Sequence, residues 1–95
     1  MKLQIEDKHL QIIKSILNDH QVDAYVFGSR AKMQAKKFSD LDLCLMDQYD
    51  KTTIRKVQDS FEESDLPFKV DIVCWGEIDD NFKAKIKTDL IKFEL

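Results

Sequence analysis

Ninety-five residues, 43% of them hydrophobic, suffice for one small domain with one modest core, spanning 1–95, and leave no room for a second lobe. Charges of both signs are plentiful, and the net charge of −3 argues against non-specific binding along a nucleic-acid backbone, so no direct nucleic-acid partner is expected. The opening Met1-Lys2-Leu3-Gln4-Ile5-Glu6 lacks the apolar run of a signal peptide and no stretch approaches membrane-spanning length, so a cytoplasmic protein away from membranes is the expectation.

Lys8 to His20 reads as the first helix, with Leu10, Ile13 and Leu17 along one face and Ile12 and Ile16 widening it. His9 and His20 stand apart from other potential ligands and are expected at the surface. Val22 to Phe27 is an apolar strand that stops at Gly28-Ser29, and a short basic helix with Arg30, Lys32, Lys36 and Lys37 is expected next. Asp40 to Met46 forms the second strand, and Asp47 to Asp50 a polar turn. Thr52 or Thr53 is then expected to cap a helix carrying Ile54, Val57 and Phe61 and ending near Ser64. Pro67 suits the approach to a third strand, from about Phe68 to Trp75. Gly76 breaks that strand, and Asp79 or Asp80 caps a final helix in which Ile78, Phe82, Ile86 and Leu90 recur every fourth residue, with Phe93 beyond. Cys44 and Cys74, each inside an apolar run, read as buried thiols. The order α-β-α-β-α-β-α describes an α/β or α+β domain with helices covering one face of a sheet.

Chemistry concentrates between Phe27 and Leu45. Side chains alternate along a strand, so Asp40 and Asp42 share one face while Leu41, Leu43 and Leu45 share the other. Two neighbouring carboxylates repel unless a cation lies between them, and Mg²⁺ takes oxygen ligands of this kind together with phosphates and water. Gly28 permits a sharp turn and close approach of a ligand. Ser29, at the start of the expected helix, would offer free N–H groups to an anion. On the third strand the same alternation puts Phe68, Val70, Ile72 and Cys74 on one face, leaving Lys69, Asp71, Val73 and Trp75 on the other. If the first set packs on the helices, Asp71 faces the same way as Asp40 and Asp42.

Gly28-Ser29-Arg30-Ala31, then Ser39-Asp40-Leu41-Asp42-Leu43, then Val70-Asp71-Ile72-Val73 resembles the signature of the DNA polymerase beta nucleotidyltransferase superfamily, and most closely its minimal nucleotidyltransferases. The resemblance covers nearly the whole chain. It implies the nucleotidyltransferase fold, an α+β domain with a small mixed sheet whose open face holds the site. One departure is that members often carry a second glycine shortly after Gly-Ser-Arg-Ala, where this chain has Lys32-Met33-Gln34.

The resemblance further implies attack on the α-phosphate of a nucleoside triphosphate, ATP, with loss of pyrophosphate. Two Mg²⁺ ions are expected, since a pair of divalent ions stabilises both the attacking and the leaving oxygen of such a displacement. Asp40, Asp42 and Asp71 are the implied metal ligands and catalytic residues, with Asp71 beside the nucleophile. Gly28, Ser29 and Arg30 are the implied nucleotide-binding residues, and for Arg30 the alternative is that it points away from the site. Many minimal nucleotidyltransferases are antitoxins encoded beside an all-helical HEPN toxin. A hetero-oligomer is therefore expected, in which AMP moves to a hydroxyl, that of a tyrosine, on the partner. The alternatives are an antitoxin that neutralises its partner by occlusion alone, and a small-molecule nucleotidyltransferase of the antibiotic-modifying type. The last usually requires an additional helical domain to hold its acceptor.

Overall fold

The computed structural model describes residues 3–93. Helix α1, Asp7–Asp19, buries Ile13 and Leu17 completely. It stops where Gln21 takes a left-handed backbone (φ 54°) and the Val22 N–H bonds back to the Leu17 carbonyl at 3.0 Å. That is a Schellman-type ending, with two apolar residues closing it. His9 lies edge-on to the Phe68 ring, centroids 5.6 Å apart, and its side chain is only 13% exposed, which corrects the surface placement expected for it.

Strands β1 (Tyr25–Phe27), β2 (Leu41–Leu45), β3 (Val70–Cys74) and β4 (Ile91–Lys92) form one sheet in the order β3-β2-β1-β4. β2 and β3 are parallel and the other two pairs antiparallel. A parallel pair needs a crossover, and helix α2, Lys51–Glu63, supplies it. Its cap is Asp50, whose carboxylate accepts from the Thr53 N–H at 2.7 Å, so the threonines expected to cap it lie inside the first turn. Val26, Leu41, Leu43, Leu45 and Val70 point to one face of the sheet, where they bury against Ile13 and Leu17 of α1 and Val57 and Phe61 of α2. The alternation expected for β2 and β3 is therefore present. The mixed sheet with helices packed on it is the α+β architecture expected from the sequence.

Two elements differ from the expected order. The segment after Gly28 is not a helix. Lys32 N–H bonds to Gly28 O at 3.1 Å and Gln34 N–H to Ser29 O at 2.8 Å, closing one turn that ends at Met33 with φ 59°. The segment has no apolar stripe to bury, so nothing sustains a helix there. Met33, whose left-handed conformation costs a side-chain-bearing residue about 1 kcal/mol, lies in the Lys32-Met33-Gln34 stretch where the resemblance leads one to expect a second glycine.

The last helix, α3, covers only Asp80–Ile86, capped by Asp79 through the Phe82 N–H at 2.7 Å. Leu90 and Phe93, read from their spacing as its continuation, instead flank β4, which pairs with the outer edge of β1. Phe93 N–H bonds to Ala24 O at 2.8 Å and its ring is 1% exposed. Pairing an open sheet edge and burying a phenyl ring together outweigh a helical repeat of four residues. The observed order is α-β-β-α-β-α-β, with a 3-10 turn, Trp75–Glu77, after β3. α3 also departs from the expectation of helices on one face only, because Ile86 packs with Phe27 and Cys44 on the face opposite the main core. Replacing Phe93 with alanine should lower unfolding free energy by about 3–4 kcal/mol, read from urea denaturation. A substitution at the end of an exposed helix would cost far less.

Candidate active site

Strand register builds the site. Asp42 stands beside Asp71 on the parallel neighbour and opposite Phe27 on the antiparallel one. The next row in from it on that face, Tyr25, Cys44 and Val73, lies in the second apolar cluster with Ile86, Trp75, Ile78 and Leu90. One end of this face is thus roofed by α3 and the 3-10 turn, while the end bearing the aspartates is not. Phe27 marks the boundary, with Phe82 of α3 packed edge-on at 5.9 Å.

Asp42 feels the charges of the other two carboxylates. Asp42 is half-buried, and its pKa is raised above the ordinary aspartate value, first by burial and then by the negative charges of Asp71 and Asp40. Asp71 holds an ion pair with Lys69, two residues away on the same face, at 3.3 Å. Among the described residues no three His, Cys, Asp or Glu side chains close into a compact metal-binding group. The carboxylates share a face, with Asp71 drawn toward Lys69. Hard oxygen donors gathered on one face and kept apart by like charge are what a divalent cation would draw together, so the residues present fit such an ion.

Gly28 lies against this row with φ 75°. A Cβ there would overlap Asp42 Oδ2 and lie 3.3 Å from its Cγ, so both the backbone angle and the space reserve the position for glycine. Ser29 follows at the start of the single turn. Because that turn is not a helix, the helix-terminus argument for an anion at Ser29 does not hold, and what remains is the turn's own N–H groups and Lys32, which pairs with Asp89 at 3.3 Å.

Arg30 takes the second of its two expected places. The residue is only 5% exposed, and its guanidinium stacks 4.0 Å above the Phe68 ring. It donates to three backbone carbonyls: Ser39 from Nε and Nη2 (3.1 and 2.8 Å), Gln4 from Nη1 (2.8 Å) and Lys37 from Nη2 (3.3 Å). With those bonds in place it is not directed at a nucleotide. It positions the carbonyl immediately before Asp40, and so fixes how the carboxylate pair enters β2. The sequence signal for this role was the Arg-Ala after Gly-Ser, but the distant Gln4 could not be read as its partner. Lys69, likewise, was seen only as a residue on the Asp71 face.

Among the described residues, two broad cavities open away from the aspartates. One of about 800 Å³ runs past Leu3, Ile5, His9, Arg30 and Phe38, and another of about 580 Å³ lies beside β3. The carboxylate row is an open surface. Burial raises the pKa values of the Cys44 and Cys74 thiols, as suits packing residues.

Comparison with known proteins agrees with this geometry. Residues 11–92 match the family described as Polymerase beta, Nucleotidyltransferase. The chain is 37% identical over 90 residues to "Probable protein adenylyltransferase MntA" of Haemophilus influenzae, an alignment covering 90% of this chain and 79% of that protein. The chain belongs to the polymerase beta nucleotidyltransferase family. Within it, the likeness to MntA places the chain among the minimal nucleotidyltransferases. It is therefore a nucleotidyltransferase, an enzyme class that works on a nucleoside triphosphate with divalent metal ions. Among the described residues no helix is long and apolar enough to cross a membrane.

Two outcomes follow for the metal-free protein. Because Asp42 is harder to ionise folded than unfolded, its charge costs stability at neutral pH, and the cost disappears as pH falls through its raised folded pKa. Asp42→Asn should therefore raise the thermal midpoint at pH 7, with the gain shrinking toward the ordinary aspartate range. Arg30→Ala should cost about 3 kcal/mol in urea unfolding, since it leaves buried carbonyls without donors and removes the guanidinium from Phe68. A phosphate-binding arginine on the surface would cost almost nothing.

Proposed function

We propose that this nucleotidyltransferase is an antitoxin that transfers AMP from ATP to a hydroxyl, that of a tyrosine, on an all-helical HEPN-type toxin. The observation that carries this reading is the row of Asp40, Asp42 and Asp71 on an open part of the sheet face, with Gly28 pressed against it. An unroofed site suits an acceptor that arrives on another macromolecule and brings its own surface. The likeness to a protein named as a protein adenylyltransferase supports the same choice of acceptor class.

Asp40 and Asp42 would hold two Mg²⁺ ions between them, and Asp71 the one beside the acceptor hydroxyl. When bound, such ions offset the repulsion between phosphates and nucleophile and stabilise the charge that builds on the leaving pyrophosphate. Asp71 accepts the hydroxyl proton at a carboxylate oxygen as the acceptor oxygen bonds to the α-phosphorus. The bond from that phosphorus to the bridging oxygen breaks, and pyrophosphate leaves with its electron pair. Gly28, lacking a side chain, lets the triphosphate approach the carboxylates, and the Ser29 N–H and hydroxyl hold its β and γ groups. Lys69, paired with Asp71 at 3.3 Å, would have to give way when the carboxylate takes up an ion.

Intact-mass spectrometry of the HEPN partner tests this reading, after incubation with the protein, ATP and Mg²⁺ and beside an Asp42→Asn control. The expected result is a mass increase of one or more AMP units, absent with the control. A stable complex with no mass increase would instead establish neutralisation by occlusion and make the aspartates remnants.

A further inference from the structure

Helix α3 turns Ile86 and, one turn earlier, Phe82 toward the sheet. Ile86 is sealed in with Phe27 and Cys44, whereas Phe82 reaches past that cluster and stays 37% exposed. Its ring stands edge-on to Phe27, with centroids 5.9 Å apart and planes at 83°. Phe27 is the residue of β1 in register with Asp42, so the exposed ring lies beside the carboxylate row, where the roofed part of the face gives way to the open part. Its backbone is held, because Asp79 caps α3 through the N–H of Phe82 itself. The two sides of Asp42 therefore differ in chemistry. Toward β3 stand Asp71 and Lys69, both charged, and toward β1 stands an aromatic pair with one ring uncovered.

We propose that Phe82 is the platform on which the nucleobase of the bound triphosphate stacks. The inference rests on the nucleotidyl-transfer reading above, which gives the substrate its directions. With the acceptor oxygen beside Asp71 and the β and γ phosphates on the Gly28-Ser29 turn, the ribose leaves the α-phosphorus in a third direction. Gly28 and Ser29 follow Phe27 and lie toward the end of the sheet where Asp40 enters β2. The nucleoside, extending from the α-phosphate away from that turn, comes to the boundary with the roofed end, where Phe82 offers its ring. Stacking asks only for a π-face, which every base has, and a ring on a capped helical turn loses little freedom when a base settles on it. An acceptor tyrosine suits the platform less well. Its hydroxyl has to reach the β3 side of Asp42, and Phe82 stands on the β1 side.

Titration calorimetry of the full chain with Mg²⁺ tests this, using two ligands. One is the α,β-methylene analogue of ATP, which cannot be cleaved at the reacting bond, and the other is tripolyphosphate, which has the phosphates without a nucleoside. Phe82→Ala and Phe82→Leu should each weaken binding of the analogue about tenfold or more and leave tripolyphosphate binding unchanged. Phe82→Trp should bind the analogue as well as wild type or better. Leucine keeps an apolar side chain against Phe27, so loss with leucine and retention with tryptophan separate stacking on a base from the packing of α3. Unchanged affinity for the analogue in Phe82→Ala, or equal losses for both ligands, would overturn the platform and leave the nucleotidyl-transfer reading standing. A wild type that binds neither ligand would overturn both.

Discussion

The register between β2 and β3 sets Asp42 and Asp71 side by side, and the rest of the molecule can be understood from what holds that unfavourable pair in place. Two carboxylates in adjacent rows repel, and burial of Asp42 sharpens the repulsion. The opposite face of the same strands supplies the compensation. Leu41, Leu43 and Leu45 are almost wholly buried against α1 and α2, and sliding β3 by one residue would exchange its core face for its charged face. The hydrophobic core therefore fixes the position of the acids as well as the stability of the domain. A divalent ion bound to them would relieve the residual strain, so that loading the site and stabilising the fold would be one thermodynamic event.

Around this pair, the site is shaped by two residues that act through packing and backbone contacts. Gly28 is held at a positive φ against Asp42, where any side chain would collide with the carboxylate. Arg30 draws the carbonyls of Gln4, Lys37 and Ser39 around one buried cation, so the N-terminal segment, the turn and the entrance to β2 are tied to one another. A buried guanidinium has more donors than any other side chain, which suits it to gathering backbone groups from segments without regular structure. The long connection from β1 to β2 thereby gains order without being a helix.

The second face of the sheet is divided between packing and chemistry. Phe27, Cys44 and Ile86 close one end under α3, and the other end is left open where the aspartates stand. The same economy of covering leaves the outer edge of β3 unprotected, while β4 covers the outer edge of β1. A domain this small has few elements with which to cover a sheet. Its open face and its open edge are consequently the surfaces that the fold itself leaves uncovered.

Sequence alone determined the residues that obey strict alternation or a fixed motif. Asp40 and Asp42 are two residues apart and alternation alone turns them the same way, whereas Asp71 joins them only through the β2–β3 register and Gly28 must be glycine only because folding brings Asp42 against it. The helical stripes of α1 and α2 were legible for the same reason, since each is long enough for its period to be unambiguous. Tertiary structure decided the rest. Whether Leu90 to Phe93 continued a helix or became β4 depended on an open edge of β1 far away in sequence, and backbone pairing there prevailed over a short helical repeat. The role of Arg30 depended on carbonyls from Gln4 and Ser39, which only the folded chain brings to one place. Local periodicity is written into a sequence, whereas competition between distant backbone groups for the same hydrogen bonds is settled only when the chain has folded.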